Sequence, residues 1–89
     1  MSYKNRLGNK CWNFLHTLAE GFPPLPNKDE IEAFKIFMDK LADIYPCRRC
    51  KFHMKEYFAR FPPFPSKRYL CNFHNNVNLR LGKNIFKCE

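Results

Sequence analysis

Apolar residues recur at helical spacing in the first half of the chain, and prolines separate the stretches. From Gly8 to Phe22 they follow one another at three- and four-residue steps, as on one face of a helix. Pro23-Pro24 ends this stretch. The next one opens with Asn27 as a candidate N-cap and has acidic residues in its first turn. It continues to Tyr45, so the pattern predicts two amphipathic helices.

The second half of the chain predicts two more helices. Pro46 is expected just inside the start of a third helix, where its missing N–H is not needed. The run from Phe61 to Pro65 contains three prolines and forbids helix. Ser66 is expected to cap a fourth helix and Gly82 to terminate it. The apolar faces predicted for these two helices are Cys50, Met54, Tyr57/Phe58 and Phe61, and then Leu70, Phe73, Val77 and Leu81.

This pattern predicts an all-α fold, because no stretch shows the sustained alternation of a strand. We expect a single domain over residues 1–89, built as a four-helix bundle with a short fifth turn formed by Lys83 to Glu89. A chain of 89 residues buries a small core. It therefore needs support from disulfides, a bound cofactor or a partner subunit.

Composition excludes some classes of protein. Aromatic residues make up 17% of the chain, which is too many for a disordered tail. Sixteen Lys and Arg against eight Asp and Glu give a formal charge of +8. This charge either forms a solvated basic surface or attracts an anionic cofactor or partner. No apolar run approaches the ~18 residues of a membrane span. The polar stretch Met1 to Lys10 is unlike a secretory signal.

Cys47 and Cys50 form a CxxC pair at the predicted start of the third helix. Helix-terminal N–H groups and the neighbouring Arg48 and Arg49 favour the thiolate, which is the nucleophile of disulfide exchange. The competing readings are a purely structural disulfide and half of a zinc site. The other candidate zinc ligands fit no common zinc pattern, and they are His53, Cys71, His74 and Cys88.

The remaining cysteines have other predicted roles. Cys71 lies in the fourth helix and Cys88 beyond its glycine stop, with sixteen residues between them. A disulfide between them would fasten the C-terminal turn to that helix and stabilise the fold by about 3 kcal/mol. Cys11 is left over, beside Trp12 on an apolar face. We expect a buried thiol there rather than a cross-link to a second subunit.

Several polar and aromatic side chains on the first and fourth helices point to a ligand. His and Asn are poor helix formers, and both need hydrogen-bond partners when they are buried. A planar heteroaromatic ligand between the helices would stack on Trp12 and His74 and would bond Asn75 and Asn78. Positive charge for a pyrophosphate is available from Arg80 and Lys83.

Together these residues resemble the Erv/ALR family of sulfhydryl oxidases over nearly the whole chain. No one motif is specific, but the ordered set is. Its elements are Gly8 with Trp12-Asn-Phe-Leu-His16, Phe22-Pro23, Tyr45-Pro46-Cys47-Arg-Arg-Cys50, Cys71-Asn-Phe-His74-Asn75-Asn-Val77-Asn78-Leu-Arg-Leu81-Gly82-Lys83, and Cys88.

The resemblance implies an FAD-dependent enzyme that forms disulfides in protein dithiols, with FAD held between the helices. Cys50 would lie beside the flavin, and Cys47 would take electrons from the substrate. The flavin would pass them to oxygen, giving hydrogen peroxide, or to cytochrome c. The residues expected to bind FAD are Gly8, Asn9, Trp12, His16, Cys71, His74, Asn75, Val77, Asn78 and Lys83.

The resemblance also implies a homodimer formed through the first two helices, and it suggests no metal, nucleic-acid or membrane partner. The expected location is the mitochondrial intermembrane space, with the endoplasmic reticulum and virus-infected cytoplasm as alternatives. Asn9 stands where the family commonly has Arg, which removes one possible cofactor contact. The 89 residues contain no Trp-containing segment after Cys88 and no shuttle cysteine pair, so substrates are expected to reach Cys47 directly unless a further tail carries such a pair.

Two other functions stay open on the sequence. One is a zinc- or disulfide-stabilised basic module that binds nucleic acid or a protein. The other is a family member that binds FAD but only docks partners.

Overall fold

The computed structural model describes residues 3–88, which form four α-helices and no strand. The all-α prediction is confirmed. Met1, Ser2 and Glu89, which the predicted domain includes, lie outside the described residues. Among residues 3–88, no helix combines the length and the apolar character that a bilayer crossing needs.

Helix α1 spans Tyr3–Ala19 and begins earlier than the predicted start at Gly8. The prediction followed the apolar face, but the residues before Gly8 include Lys, Arg and Leu, which extend a helix well without being buried. After Ala19 the backbone tightens, because the N–H groups of Glu20, Gly21 and Phe22 each bond a carbonyl three residues back.

Helix α2 spans Lys28–Ile44 and begins at the predicted cap. The Asn27 side chain accepts the Glu30 N–H at 2.8 Å, and the Glu30 carboxylate accepts the Asn27 N–H at 2.8 Å. This reciprocal arrangement satisfies two backbone donors at the start of the helix.

Helix α3 spans Arg48–Arg60, so the expected place of Pro46 inside the helix is wrong. Pro46 lies before the cap, and Cys47 is the N-cap residue with extended backbone. Its Sγ accepts the Cys50 N–H at 3.3 Å, so sulfur takes the position that a Ser or Asp oxygen usually holds.

Helix α4 spans Lys67–Leu81 between its two predicted boundaries. The Ser66 hydroxyl accepts the Tyr69 N–H at 3.0 Å, and Gly82 ends the helix with a left-handed φ of 71°. The fifth turn expected after Gly82 is wrong, because residues 83–88 contain no helix. A side chain of α4 binds this segment instead, as described below.

All four helices contribute to one buried core, in which α1 packs against α4 and α2 against α3. Leu81 was predicted to belong to it, but its side chain is 58% exposed. The core residues are Leu15, Ala19, Phe34, Met38, Ala42, Met54, Phe58, Leu70 and Phe73.

Candidate active site

Cys47 and Cys50 are joined by a disulfide at the start of α3, with their Cα atoms 5.2 Å apart. Both residues are half-buried, whereas Arg48 and Arg49 between them are exposed. Cys50 lies one helical turn before buried Met54, on the side of α3 that faces the core. The disulfide therefore lies between solvent and the interior of the bundle.

A cavity of about 360 Å³ lies against this disulfide. Its volume is in the range of small-molecule sites, about 300–1,000 Å³. Its walls are mostly apolar and come from all four helices. The residues that line it are Lys4, Asn5, Gly8, Asn9, Cys11, Trp12, Leu15, Leu41, Tyr45, Cys47, Cys50, Met54, Phe73, Val77, Arg80, Leu81 and Lys83.

Cys11 and Tyr45 lie on the wall of the cavity between α1 and the end of α2. Cys11, expected to be a buried thiol, is free and half-buried, and burial raises its pKa. Burial also raises the pKa of Tyr45, and the neighbouring Cys11 raises it further. The Tyr45 hydroxyl approaches Gly8, since a Cβ built on Gly8 would lie 3.9 Å from it. At neutral pH both groups are therefore uncharged and suit an apolar wall.

Three basic side chains, Lys4, Arg80 and Lys83, line the same cavity. No carboxylate is among the lining residues, and the Arg80 guanidinium donates to the Asn76 side chain at 3.2 Å. Apolar walls combined with unpaired positive charge suit a planar ligand that carries an anionic group.

Next to the cavity, four aromatic side chains from α1, α4 and the C-terminal segment stack on one another. The Trp12 and His74 rings are 3.9 Å apart and nearly parallel, at 11°. Phe86 lies over both histidines, with centroids 4.5 Å from His16 and 4.7 Å from His74. His16 Nε2 and His74 Nδ1 are 2.8 Å apart and form a hydrogen bond.

Both histidines of this aromatic cluster favour the neutral form. Burial lowers the pKa of His16. Burial, and then the charges of His16 and Lys83, lower the pKa of His74 to about 4. At neutral pH the pair is therefore uncharged, and one ring donates the proton that the other accepts.

The C-terminal segment is held to α4 by two features. The Asn75 side chain accepts the Phe86 N–H at 2.7 Å and donates to the Phe86 carbonyl at 3.1 Å. The predicted Cys71–Cys88 disulfide is present, with Cα atoms 5.9 Å apart. The Asn75 side chain thus satisfies both backbone polar groups of Phe86. Phe86 therefore does not need the intrahelical hydrogen bonds that a fifth turn would supply.

Comparison with known proteins identifies the family. The model of the Erv1 / Alr family matches residues 9–89. This chain belongs to the Erv1/Alr family.

Two relatives and one solved structure illustrate the similarity within the Erv1/Alr family. The chain is 40% identical to the FAD-linked sulfhydryl oxidase ERV1 of Arabidopsis thaliana over 97% of its own length and 48% of that protein. It is 33% identical to the FAD-linked sulfhydryl oxidase ERV2 of Saccharomyces cerevisiae, over 96% of its own length and 46% of that protein. The crystal structure of the yeast Erv1 core superimposes with a TM-score of 0.85 at 31% identity, covering 94% of this chain and 75% of that one. The chain thus spans about half the length of the curated relatives it matches.

The structure brings five of the ten predicted cofactor residues to the cavity beside the disulfide. They are Gly8, Asn9, Trp12, Val77 and Lys83. His16 and Cys71 instead line a second, more open cavity of about 830 Å³ near the C-terminal segment, together with Phe86 and Cys88. Neither set of lining residues includes His74, Asn75 or Asn78.

Trp12 and His74, the two residues expected to stack on a ligand, stack on each other in this structure. At 3.9 Å the two rings touch each other and leave no space for a third ring between them. Asn78 is buried, and its side-chain Nδ2 donates to the side-chain Oδ1 of Asn75 at 3.5 Å. Both asparagines thus have partners within the chain.

Sequence reasoning missed several residues of the cavity wall, including Leu41, Tyr45 and Met54. Periodicity placed Met54 only on the apolar face of the third helix. Tyr45 belongs to the family motif that ends at Cys50, but nothing in the sequence shows that its hydroxyl approaches Gly8. Among residues 3–88, no group of three His, Cys, Asp or Glu side chains is arranged to hold a metal ion.

Proposed function

We propose that residues 1–89 act as one FAD-dependent sulfhydryl oxidase domain. The observation that carries the proposal is the Cys47–Cys50 disulfide at the wall of a ligand-sized cavity. The names of the relatives support it, since both proteins described above are FAD-linked sulfhydryl oxidases. A structural disulfide alone would not require a cavity beside it.

The residues around the cavity fit FAD. Trp12, Leu15, Phe73 and Val77 offer apolar contacts to a planar ring, and Arg80 and Lys83 offer charge to a pyrophosphate. His16 and Cys71, on the second cavity, would meet the remainder of the cofactor. We retain His74, Asn75 and Asn78 in the proposed site as the residues that hold Trp12 and the C-terminal segment in place. Bound FAD would supply a two-electron acceptor next to the disulfide.

The disulfide itself carries out the exchange with substrate. A substrate thiolate attacks Cys47 Sγ, the Cys47–Cys50 bond breaks, and Cys50 leaves as a thiolate. The second substrate thiolate then attacks the substrate sulfur of this mixed disulfide and releases Cys47. The substrate loses two electrons and the pair gains them. The Cys50 N–H, which lies 3.3 Å from Cys47 Sγ, would stabilise the negative charge on that sulfur when Cys47 is released.

Attack at Cys47 rather than Cys50 follows from the surroundings of each residue. Cys47 is the cap residue, between exposed Pro46 and exposed Arg48. Cys50 shares its face with buried Met54 and points toward the interior. We therefore assign Cys47 to the substrate and Cys50 to the cofactor.

Flavin absorbance and oxygen uptake test this proposal together. Purified protein should be yellow, and it should consume oxygen and form hydrogen peroxide when dithiothreitol is added. Protein that is colourless, and that takes up no FAD when the cofactor is added, would refute the function. Protein that binds FAD but oxidises no dithiol would instead identify a docking module. Reduction of added cytochrome c under anaerobic conditions distinguishes the two proposed acceptors.

A homodimer is the second part of the proposal. Phe14 of α1 and Phe37 of α2 are 54% and 38% exposed, and their ring centroids are 6.3 Å apart. Ile36 and Leu18, at 51% and 40%, extend this apolar surface. Phe14→Asp should convert a dimer to a monomer in analytical ultracentrifugation. Leu79→Asp, at an exposed leucine on α4, is the control.

For location, we propose the mitochondrial intermembrane space, with the endoplasmic reticulum and virus-infected cytoplasm as alternatives. The chain is 31% identical to a yeast protein named mitochondrial FAD-linked sulfhydryl oxidase ERV1. It is 33% identical to the FAD-linked sulfhydryl oxidase of African swine fever virus. Fractionation of cells that contain the natural protein decides between the compartments.

A further inference from the structure

The first turn of α3 carries positive charge where helices ordinarily carry negative charge. Arg48 and Arg49 are exposed there, and the turn contains no acidic residue. Helix α2 has Asp29 and Glu30 in its first turn, whereas α4 begins with Lys67 and Arg68 and, like α3, has no acidic residue there; only the α3 cations adjoin the redox disulfide. Cations at a helix N-terminus oppose the helix dipole and do not stabilise the helix. Their electrostatic effect is to raise the positive potential beside Cys47.

The carboxylates nearest in sequence do not neutralise this charge. From 44 to 55 the chain contains four cations and no Asp or Glu. Asp39 and Asp43, at the end of α2, are instead paired with Lys55, at 2.8 Å in the case of Asp39. Within residues 3–88, neither Arg48 nor Arg49 forms an ion pair with a carboxylate. The two guanidinium groups are therefore available to an incoming molecule.

An exposed aromatic residue shares the same helix face. Phe52 lies three and four positions after Arg49 and Arg48, so the three side chains are neighbours on the surface of α3. Its side chain is 63% exposed, and Ile44, on the other side of Cys47, is 77% exposed. The first acidic residue along this face is Glu56, one turn beyond Phe52. We call Arg48, Arg49 and Phe52 the cationic face of α3.

We propose that the cationic face of α3 selects protein dithiols whose cysteines are flanked by acidic residues. This inference rests on the proposed function and names its substrate class. Arg48 and Arg49 are specificity-determining residues that attract the acidic flanks, and Phe52 provides an apolar contact beside them. The attraction acts mainly on the rate of encounter and weakens with salt, because the groups are exposed.

Two dithiol peptides of equal length test the inference on the holoprotein. One has glutamates on both sides of its cysteine pair and the other has lysines. We expect kcat/KM for the acidic peptide to exceed that for the basic peptide by roughly tenfold at low salt. The difference should shrink at about 0.5 M salt. Dithiothreitol, which has no flanking residues, serves as the reference substrate.

A pair of matched variants locates the effect. Arg48→Gln with Arg49→Gln should remove most of the preference for the acidic peptide, measured as the ratio of kcat/KM for the two peptides, because any change in the reactivity of the cysteine pair affects both peptides alike and cancels in the ratio. Lys28→Gln with Lys35→Gln removes the same charge from the first half of α2 and should leave the preference unchanged. Phe52→Ala should raise KM for the acidic peptide with little effect on kcat.

The outcomes separate this inference from the function on which it rests. If dithiothreitol is oxidised but both peptides react equally well, the inference is overturned and the function stands. It is also overturned if the preference survives in the arginine variant. If no dithiol is oxidised at all, the proposed function fails, and the inference fails with it.

Discussion

His16 Nε2 and His74 Nδ1 are 2.8 Å apart, so two histidines 58 positions apart share one proton across the contact between α1 and α4. The bond requires at least one neutral ring as acceptor. Trp12 stacks on His74, and Phe86 stacks on both histidine rings. The hydrogen-bonded histidine pair therefore lies where the first helix, the fourth helix and the C-terminal segment meet.

The first prediction is that acid destabilises the protein through this pair. The pKa of His74 is lowered from 6.5 to about 4, and that of His16 is also lowered, in both cases mainly by burial. Between these values the unfolded chain binds more protons than the folded one. The stabilising contribution is therefore complete above pH 6.5 and is lost as pH falls toward 4. Thermal unfolding followed from pH 7.5 to pH 4 measures it.

A variant that keeps the stacking but cannot titrate provides the control for this pH dependence. His74→Phe should flatten the decline of Tm between neutral pH and pH 4. His53→Gln, on α3 and outside the aromatic cluster, should keep the wild-type slope. A His74→Phe protein with an unchanged slope would contradict the assignment.

The second prediction concerns the redox pair. Cys47→Ser and Cys50→Ser should each reduce oxygen uptake with dithiothreitol to the background rate, because no disulfide remains to accept substrate electrons. Flavin absorbance should persist, since neither sulfur is needed to fill the cavity. Ala59→Ser places a serine at an exposed position of the same helix and should retain activity. Full turnover in both cysteine variants would refute the assigned roles.

The third prediction separates the second disulfide from catalysis. Replacing both Cys71 and Cys88 by Ser should lower the free energy of unfolding by about 3 kcal/mol, because the unfolded chain is no longer cross-linked. Urea denaturation measures the loss, and activity per folded molecule should change much less. Cys11→Ser leaves both disulfides in place and should cost less stability. A larger loss for Cys11→Ser than for the double variant would contradict this division.

The fourth prediction tests the end of α4. Gly82→Ala should lower the free energy of unfolding by about 1 kcal/mol, since an L-residue is strained in the left-handed region. A Cβ at Gly82 meets nothing within 4 Å, so the loss of stability measures the backbone strain alone and no steric clash. Gly21→Ala is the matched control, because its Cβ would make only an ordinary 3.6 Å contact. Equal stability of the two variants would exclude the backbone explanation.

The fifth prediction concerns the attachment of the C-terminal segment. Asn75→Ala removes both hydrogen bonds to the Phe86 backbone, each worth about 1 kcal/mol. Exchange of the Phe86 amide hydrogen should become roughly tenfold faster. Asn76→Ala removes an exposed amide whose side-chain partner within residues 3–88 is Arg80, and it should leave that rate unchanged. Unaltered exchange in the Asn75 variant would mean that the disulfide alone holds the segment.

The sequence predicted the parts of the fold that depend on local signals. Asn27, Ser66 and Gly82 act within one helical turn, and each has the predicted role. The start of α3 was off by two residues, because a cysteine sulfur can cap a helix only when its own backbone is extended, which spacing does not reveal.

The parts that depend on contacts distant in sequence could not be predicted in the same way. The stacking of Trp12 on His74 and the binding of Phe86 by Asn75 join segments whose orientation the sequence does not specify. Five of the ten predicted cofactor residues line the cavity beside the disulfide, and the other five lie on the second cavity or contact other residues of the chain.

The helices pair as α1 with α4 and α2 with α3, and the cavity wall takes residues from both pairs. A ligand in that cavity would touch Trp12 and Phe73 of one pair and Leu41 and Met54 of the other. Binding to the folded chain alone stabilises it in proportion to the logarithm of ligand concentration. Flavin supply would then govern how much folded protein a cell retains, so a riboflavin-starved cell would lose the protein itself as well as its activity.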